Sequence, residues 1–274
     1  MRVTSVHIYP VKSTRGSEVA EATVEPWGLR HDRRWLLVDG GGAKVTAREN
    51  SRLLLVRATP QSDGGLVLDA PGVDPLRVAC PAGTPPIVAQ VSRLPHVASC
   101  DPAADAWLSK VVEQPVRLGW LDDPRRRPVD PEHGGRPGDP LSLADAGPLL
   151  LTSTASLRRL DEWAAETARD CAEAAPAPLT MERFRPNVVV DGVPEAFVED
   201  DWQRLTIGTI EFRVSESCDR CVFTTIDPAT RARGHEPIRT LARHRRWDGK
   251  VWFGIRLVPT YAGTVRAGDP VTVH

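Results

Sequence analysis

Between residues 122 and 140 the chain reads DDPRRRPVDPEHGGRPGDP, with five prolines and three glycines. Proline lacks the N–H that a helix interior or a central strand requires, and glycine pays an entropic cost in either. No regular element of any length survives that density of breakers, so the stretch reads as a long loop or a crossover between domains. A connection this long inside a compact protein usually serves function or movement. The expected division is therefore residues 1–121, a crossover at 122–141, and residues 142–274. Arg125, Arg126 and Arg127 within it are expected to be a solvated charge run rather than an anion site.

On the N-terminal side, apolar runs at 3–8, 18–24, 34–38, 52–57 and 65–69 are separated by Gly, Pro or Asp turns and read as short strands. DGGG at 39–42 is a hairpin signal. One helix closes this half. Asp101 is its expected N-cap, Pro102 its first residue, and Ala104, Trp107, Leu108, Val111 and Val112 form one apolar face. A strand at 116–121 follows.

Beyond the crossover, 148–151 reads as a buried strand and 152–154 as the start of a helix. Its inner face is Leu157, Leu160, Ala164, Ala168 and Cys171, and residues 174–178 end it. A strand at 187–190 comes next, then strand-like runs at 206–215 and 221–226 flanking Cys218-Asp-Arg-Cys221. A last helix at 237–246, with Ile238, Leu241 and Ala242 inward, precedes strands at 251–258 and 271–273. The fold class expected is α+β, mostly β: two β-rich, barrel-like domains with a few packed helices.

Composition serves mainly to exclude. A formal net charge of −1 argues against general nucleic-acid binding. No run approaches the ~18 apolar residues of a membrane span, and the first ten residues lack the apolar core of a signal peptide. Five cysteines, three of them isolated, do not make a disulfide framework, so a reducing cytoplasm is the expected home. No Walker motif and no GxGxxG is present.

The Cys218–Cys221 motif carries the most chemistry. An arginine beside a thiol favours the thiolate, the form that attacks electrophiles or binds metals. A structural zinc site needs four ligands, and only His235 and His244 offer themselves as partners to this single pair. A thioredoxin-type pair would open a helix within a βαβ unit. Thr152, Ser153 and Thr154 would suit an anion at a helix N-terminus, or simply cap the helix. Lys12 and Ser13 follow the first strand, and Arg33 and Arg185 each sit beside a strand where a guanidinium could bind phosphate. Residues 231–256 hold eight Arg or Lys against Glu236 and Asp248, which points to an anionic cofactor or an acidic partner.

In order along the chain stand YPVKS (9–13), GLRHDRRW (28–35), VTAR (45–48), LAD (143–145), FRPN (184–187), CDRC (218–221), TTIDP (224–228), FG (253–254) and GTVRAGDP (263–270). Together they resemble the two-domain MOSC family, a β-barrel domain followed by the MOSC domain, and in particular bacterial relatives of the amidoxime-reducing component. The resemblance implies a molybdenum cofactor (Mo-molybdopterin) lying between the domains, with Cys221 as the thiolate ligand of the metal. It implies that Lys12, Ser13, Arg33, Ser153, Thr154, Arg185 and Asn187 surround the pterin, with Cys218 and Asp219 in the same pocket. The implied activity is reduction of N-hydroxylated compounds, such as amidoximes, hydroxylamines and N-hydroxylated bases, to amines. Electrons would come from an external flavin or iron–sulfur protein. The other readings are a carrier of the cofactor, or of sulfur for it, and a zinc-stabilised binding protein. One departure is visible: animal members have a tyrosine shortly after Phe-Gly, where this chain has Arg256. On this reading Arg33 and Arg185 should be removable without loss of stability in the cofactor-free protein.

Overall fold

The computed structural model describes residues 1–174 and 176–274, and the chain separates into two compact units that interleave along the sequence. The first unit takes Met1–His7, Glu18–Pro26 and Gly147–His274; the second takes Ile8–Ser17 and Trp27–Ala146.

One mixed sheet, built mainly from the first unit, runs in spatial order Ser17–Val19, Arg2–Ile8, Val188–Asp191, Leu149–Ser153, Lys250–Pro259, Ile210–Asp219, Arg204–Ile207 and Val271–Val273. Leu149–Ser153 and Val188–Asp191 pair in parallel. Parallel neighbours need a crossover. Helix α2, Thr154–Asp170, is part of that connection, capped at Ser153, whose side chain accepts from Ser156 N. The expected inner face holds at Leu160, Ala164 and Ala168, but Cys171 is exposed and Ser156 and Thr167 are buried in its stead. Ala175, inside the stretch expected to end this helix, lies outside the described residues. Helix α3, Ile238–His244, packs Leu241 into a cluster with Leu160, Leu179, Phe184 and Phe253.

The second unit has one sheet ordered Pro86–Val91, Leu94–Ser99, Arg117–Trp120, Trp35–Val38 and Lys44–Val45, and another of Arg57–Pro60, Leu66–Ala70 and Val73–Val78. The DGGG turn joins an antiparallel pair as expected. Helix α1, Pro102–Val112, begins at the Asp101 cap and buries all five expected residues.

Three expected strands change character. Residues 52–57 contain a 3₁₀ turn, Ser51–Leu55, initiated when the Asn50 side chain accepts from Arg52 N. The run 206–215 is split between two strands by a turn in which Gly208 takes φ +59°. The run 221–226 is a 3₁₀ turn, Val222–Thr225, despite four β-favouring side chains.

The arginine run is not uniformly solvated. Arg125 and Arg126 are exposed beside Asp123 and Asp122. Arg127 is 5% exposed and donates to the carbonyls of Ser92 (3.1 Å), Ser142 and Ala144 (2.7 Å). Burial pushes its guanidinium down to about 10, with Asp145 opposing the shift, so it stays charged at neutral pH. Arg127→Met should therefore destabilise the protein by on the order of 3 kcal/mol, because the three carbonyls lose a charged donor. Arg125→Ala should leave the urea midpoint where it was. Equal midpoints for the two variants would mean that Arg127 does not anchor the segment 122–140.

Candidate functional site

The strand Ile210–Asp219 delivers Cys218 and Asp219 at its C-terminal end, and Cys221 stands at the N-cap of the turn Val222–Thr225. Their environments differ sharply. Cys218 is 6% exposed, whereas Cys221 is exposed. Between them the Arg220 N–H donates to Val251 O (2.8 Å), tying the motif to the neighbouring strand. The Arg220 guanidinium turns back, Nη1 to Cys218 Sγ at 2.9 Å and Nη2 to Phe184 O at 2.6 Å. One thiol is thereby buried beside a cation, and the other lies at the surface.

FRPN packs beside the motif. Phe184 stacks on Phe253 with ring centres 4.1 Å apart. Arg183 pairs with Asp227 at 2.7 Å and reaches Thr224 O, which fastens the turn that begins at Cys221. Arg185 adopts a left-handed backbone (φ +56°) and lies over the Phe223 ring at 5.4 Å. Gly254, also at positive φ, sits where a Cβ would come within 2.7 Å of Leu151 O, so a side chain there would separate two strands.

The other expected residues of this unit carry structural duties. The Asn187 amide accepts from Leu150 N (3.2 Å) and donates to His7 O (3.1 Å), satisfying backbone groups of the two strands that flank Val188–Asp191. Thr152 Oγ1 meets Met181 Sδ, and Thr154 Oγ1 donates to Asp191. Ser153 Oγ lies between Ser156 Oγ (2.8 Å) and Glu199 (3.3 Å). The start of α2 therefore already has carboxylates beside it, and at Ser153 capping is the observed role. Glu199, which sequence reasoning missed, is fully buried, and burial raises its pKa against the Ser156 hydrogen bond.

In the second unit Lys12 Nζ donates to Asp145 Oδ1 (2.5 Å) and Leu143 O (2.8 Å). Lys12 holds the Asp145 carboxyl below the ordinary aspartate range. Ser13 is buried at φ +67°. Arg33 pairs at 2.5 Å with Asp32, which is 1% exposed, and lies over the Tyr9 ring. Removing Arg33 would strand a buried carboxylate, so the expectation that it can be removed at no cost to stability is corrected.

Four of the eight basic residues of 231–256 face carboxylates within the molecule. Arg239 bridges Glu173 and Glu236, Arg245 is buried against Asp200, and Arg256 is buried against Glu216 and Asp219. Arg243 faces Asp170 at 3.8 Å. Among the described residues no group of three or more His, Cys, Asp or Glu side chains could hold a metal ion.

Comparison with known proteins places two family profiles on the chain: the MOSC N-terminal beta barrel domain on residues 1–115 and the MOSC domain on residues 138–272. The chain is similar to mitochondrial amidoxime-reducing component 1 of Homo sapiens, 33% identical across 98% of this chain and 82% of that one. It is similar to mitochondrial amidoxime reducing component 2 of Rattus norvegicus, 32% identical with the same coverage. It is also similar to the molybdenum cofactor sulfurase of Danio rerio, 32% identical over 93% of this chain but 31% of that protein.

Glu199 supplies a test of the site's buried frame. A carboxyl whose pKa is higher in the folded than in the unfolded state stabilises the fold fully below the unfolded value, about 4.3, and loses that contribution as pH rises through the folded value. Glu199→Gln should therefore gain in thermal stability relative to the parent on going from pH 4.5 to pH 7. A difference in Tm that is the same at both pH values would show that Glu199 is not a buried titrating acid.

Proposed function

The chain belongs to the family of two-domain MOSC proteins, and from that premise we propose that it is a molybdenum-cofactor enzyme that reduces N-hydroxylated compounds to amines. The observation that carries the reading is the exposed Cys221 thiol on a turn fastened by arginines, with no cluster of protein ligands around it among the described residues. A bare zinc ion would need further donors from the chain. A metal that arrives already held by a pterin dithiolene needs one soft protein thiolate, and Cys221 fits that demand.

When bound, the cofactor supplies the two-electron chemistry at the N–O bond. The chain's own residues position and hold. Cys221 is the metal ligand in this proposal. Arg185 offers charge-assisted donors to the anionic cofactor, and the resemblance adds Lys12, Ser13, Arg33, Ser153, Thr154 and Asn187 to its surroundings. For Ser153 and Asn187 the contribution would come through the backbone they brace, because their side chains already serve strands and helix. Cys218 and Asp219 would line the pocket. An N-hydroxylated amidine, hydroxylamine or base is the proposed substrate class. An external flavin or iron–sulfur protein is the proposed donor.

The sulfurase similarity favours one second reading, a carrier of the cofactor or of sulfur for it. Reduction of benzamidoxime with an artificial electron donor by the molybdenum-loaded protein separates the two, since a carrier would show no turnover.

The ligand assignment makes a sharp forecast. Cys221→Ser should lose molybdenum, because a hydroxyl is a harder and far less acidic ligand than a thiol. Cys218→Ser should keep most of it. Metal analysis of both variants, made in a host that synthesises the cofactor, checks this; loss in Cys218→Ser alone would transfer the ligand role to Cys218.

A further inference from the structure

Arg256 is the single charged residue inside an otherwise apolar run, VWFGIRLVP, in the middle of the strand Lys250–Pro259. A charge there must find partners, because an unpaired buried cation costs several kcal/mol. It is 7% exposed, and its two terminal nitrogens go to different residues, Nη1 to Glu216 and Nη2 to Asp219 Oδ1 at 2.5 Å. Ordinary pleating sends residues three apart on a strand to opposite faces. Glu216 and Asp219 nevertheless meet one guanidinium. The register between Ile210–Asp219 and Lys250–Pro259 shifts between Val214 and Glu216 and again between Ser217 and Asp219. Such irregularities re-aim side chains. Space for the arginine stem comes from Gly147, where a Cβ would stand 2.8 Å from Arg256 Cβ and 3.0 Å from Cδ.

Asp219 is the second residue of the Cys218–Cys221 motif. Through it, Arg256 grips one side of that motif while the Arg220 guanidinium grips the other at Cys218 and Phe184. We infer that Arg256 is a positioning residue, which with Glu216 and Gly147 fixes the turn that presents the Cys221 thiol. The clamp acts through Asp219. The inference rests on the proposed function only in assigning that thiol to molybdenum.

The test uses the full-length chain and three variants: Arg256→Lys, Arg256→Met, and Arg256→Met with Glu216→Gln. The double variant also removes the charge of one of the two carboxylates that face the arginine and keeps the experiment decisive if Arg256→Met fails to fold. Hydrogen exchange is measured on metal-free protein. In the double variant amides of residues 219–223 should exchange roughly tenfold faster or more, the equilibrium effect of losing a charge-assisted hydrogen bond, with α2 and the strand Leu149–Ser153 unchanged. Arg256→Lys, which can reach one carboxylate, should recover part of the protection. Molybdenum content should rank the variants in the same order, and turnover per molybdenum should fall in kcat with KM unchanged. Unaltered exchange at 219–223, equal acceleration throughout the first unit, or no recovery with lysine would each overturn the positioning role. If even the parent protein binds no molybdenum, the cofactor reading fails while the exchange arm still decides the clamp.

Discussion

The antiparallel pairing of Ile210–Asp219 with Lys250–Pro259 is the constraint on which the site depends. These long strands lie at the centre of the first unit's sheet, and the regular part of their pairing fixes the frame. Where the register slips, the regular sheet gives way to the candidate site. A bulge costs ladder hydrogen bonds, and the departure is held here by ionic contacts and by backbone bonds such as Arg220 N to Val251 O. Precise placement of one thiol thus follows from a deliberate irregularity braced by charge.

Charge in this molecule is used inward. The sequence shows a basic C-terminal segment, and the structure returns many of those cations to carboxylates far away along the chain. Arg245 and Asp200 are 45 residues apart, and Arg239 and Glu173 are 66 apart. Net local charge counted along a sequence says nothing about such pairings. The same holds for Arg127, which stands beside two solvated arginines with no local feature to mark it.

What was legible was whatever local rules determine. Asp101, Pro102 and the spacing of five apolar residues defined α1, and DGGG defined a hairpin. The expected strand at 221–226 failed because Val, Phe and Thr favour strands only where a neighbour pairs with them, and here the backbone closes on itself, Thr224 N to Cys221 O. The split of 206–215 did carry a signal, Gly208, which interrupts the alternation. For the site, both thiols and their arginine neighbour were visible at once. Their unequal exposure was not, because it depends on contacts with Phe184 and Val251. The lone arginine among apolar residues at 256 was the one mark of the clamp that a sequence could offer.

The interleaving of the two units bears on the order in which the protein can be made. The second unit is almost one continuous stretch, Trp27–Ala146, with a short preceding segment, and can close while the ribosome is still at work. The first unit cannot. Its strand Arg2–Ile8 emerges first, yet one of its two partners, Val188–Asp191, comes only after the whole second unit. During that interval only the edge that faces Ser17–Val19 can be covered, and the other edge is a template for wrong pairing of the kind folded proteins take care to cover. The strand's exposed and polar positions, Arg2, Thr4 and Ser5 among them, would help keep that waiting edge soluble.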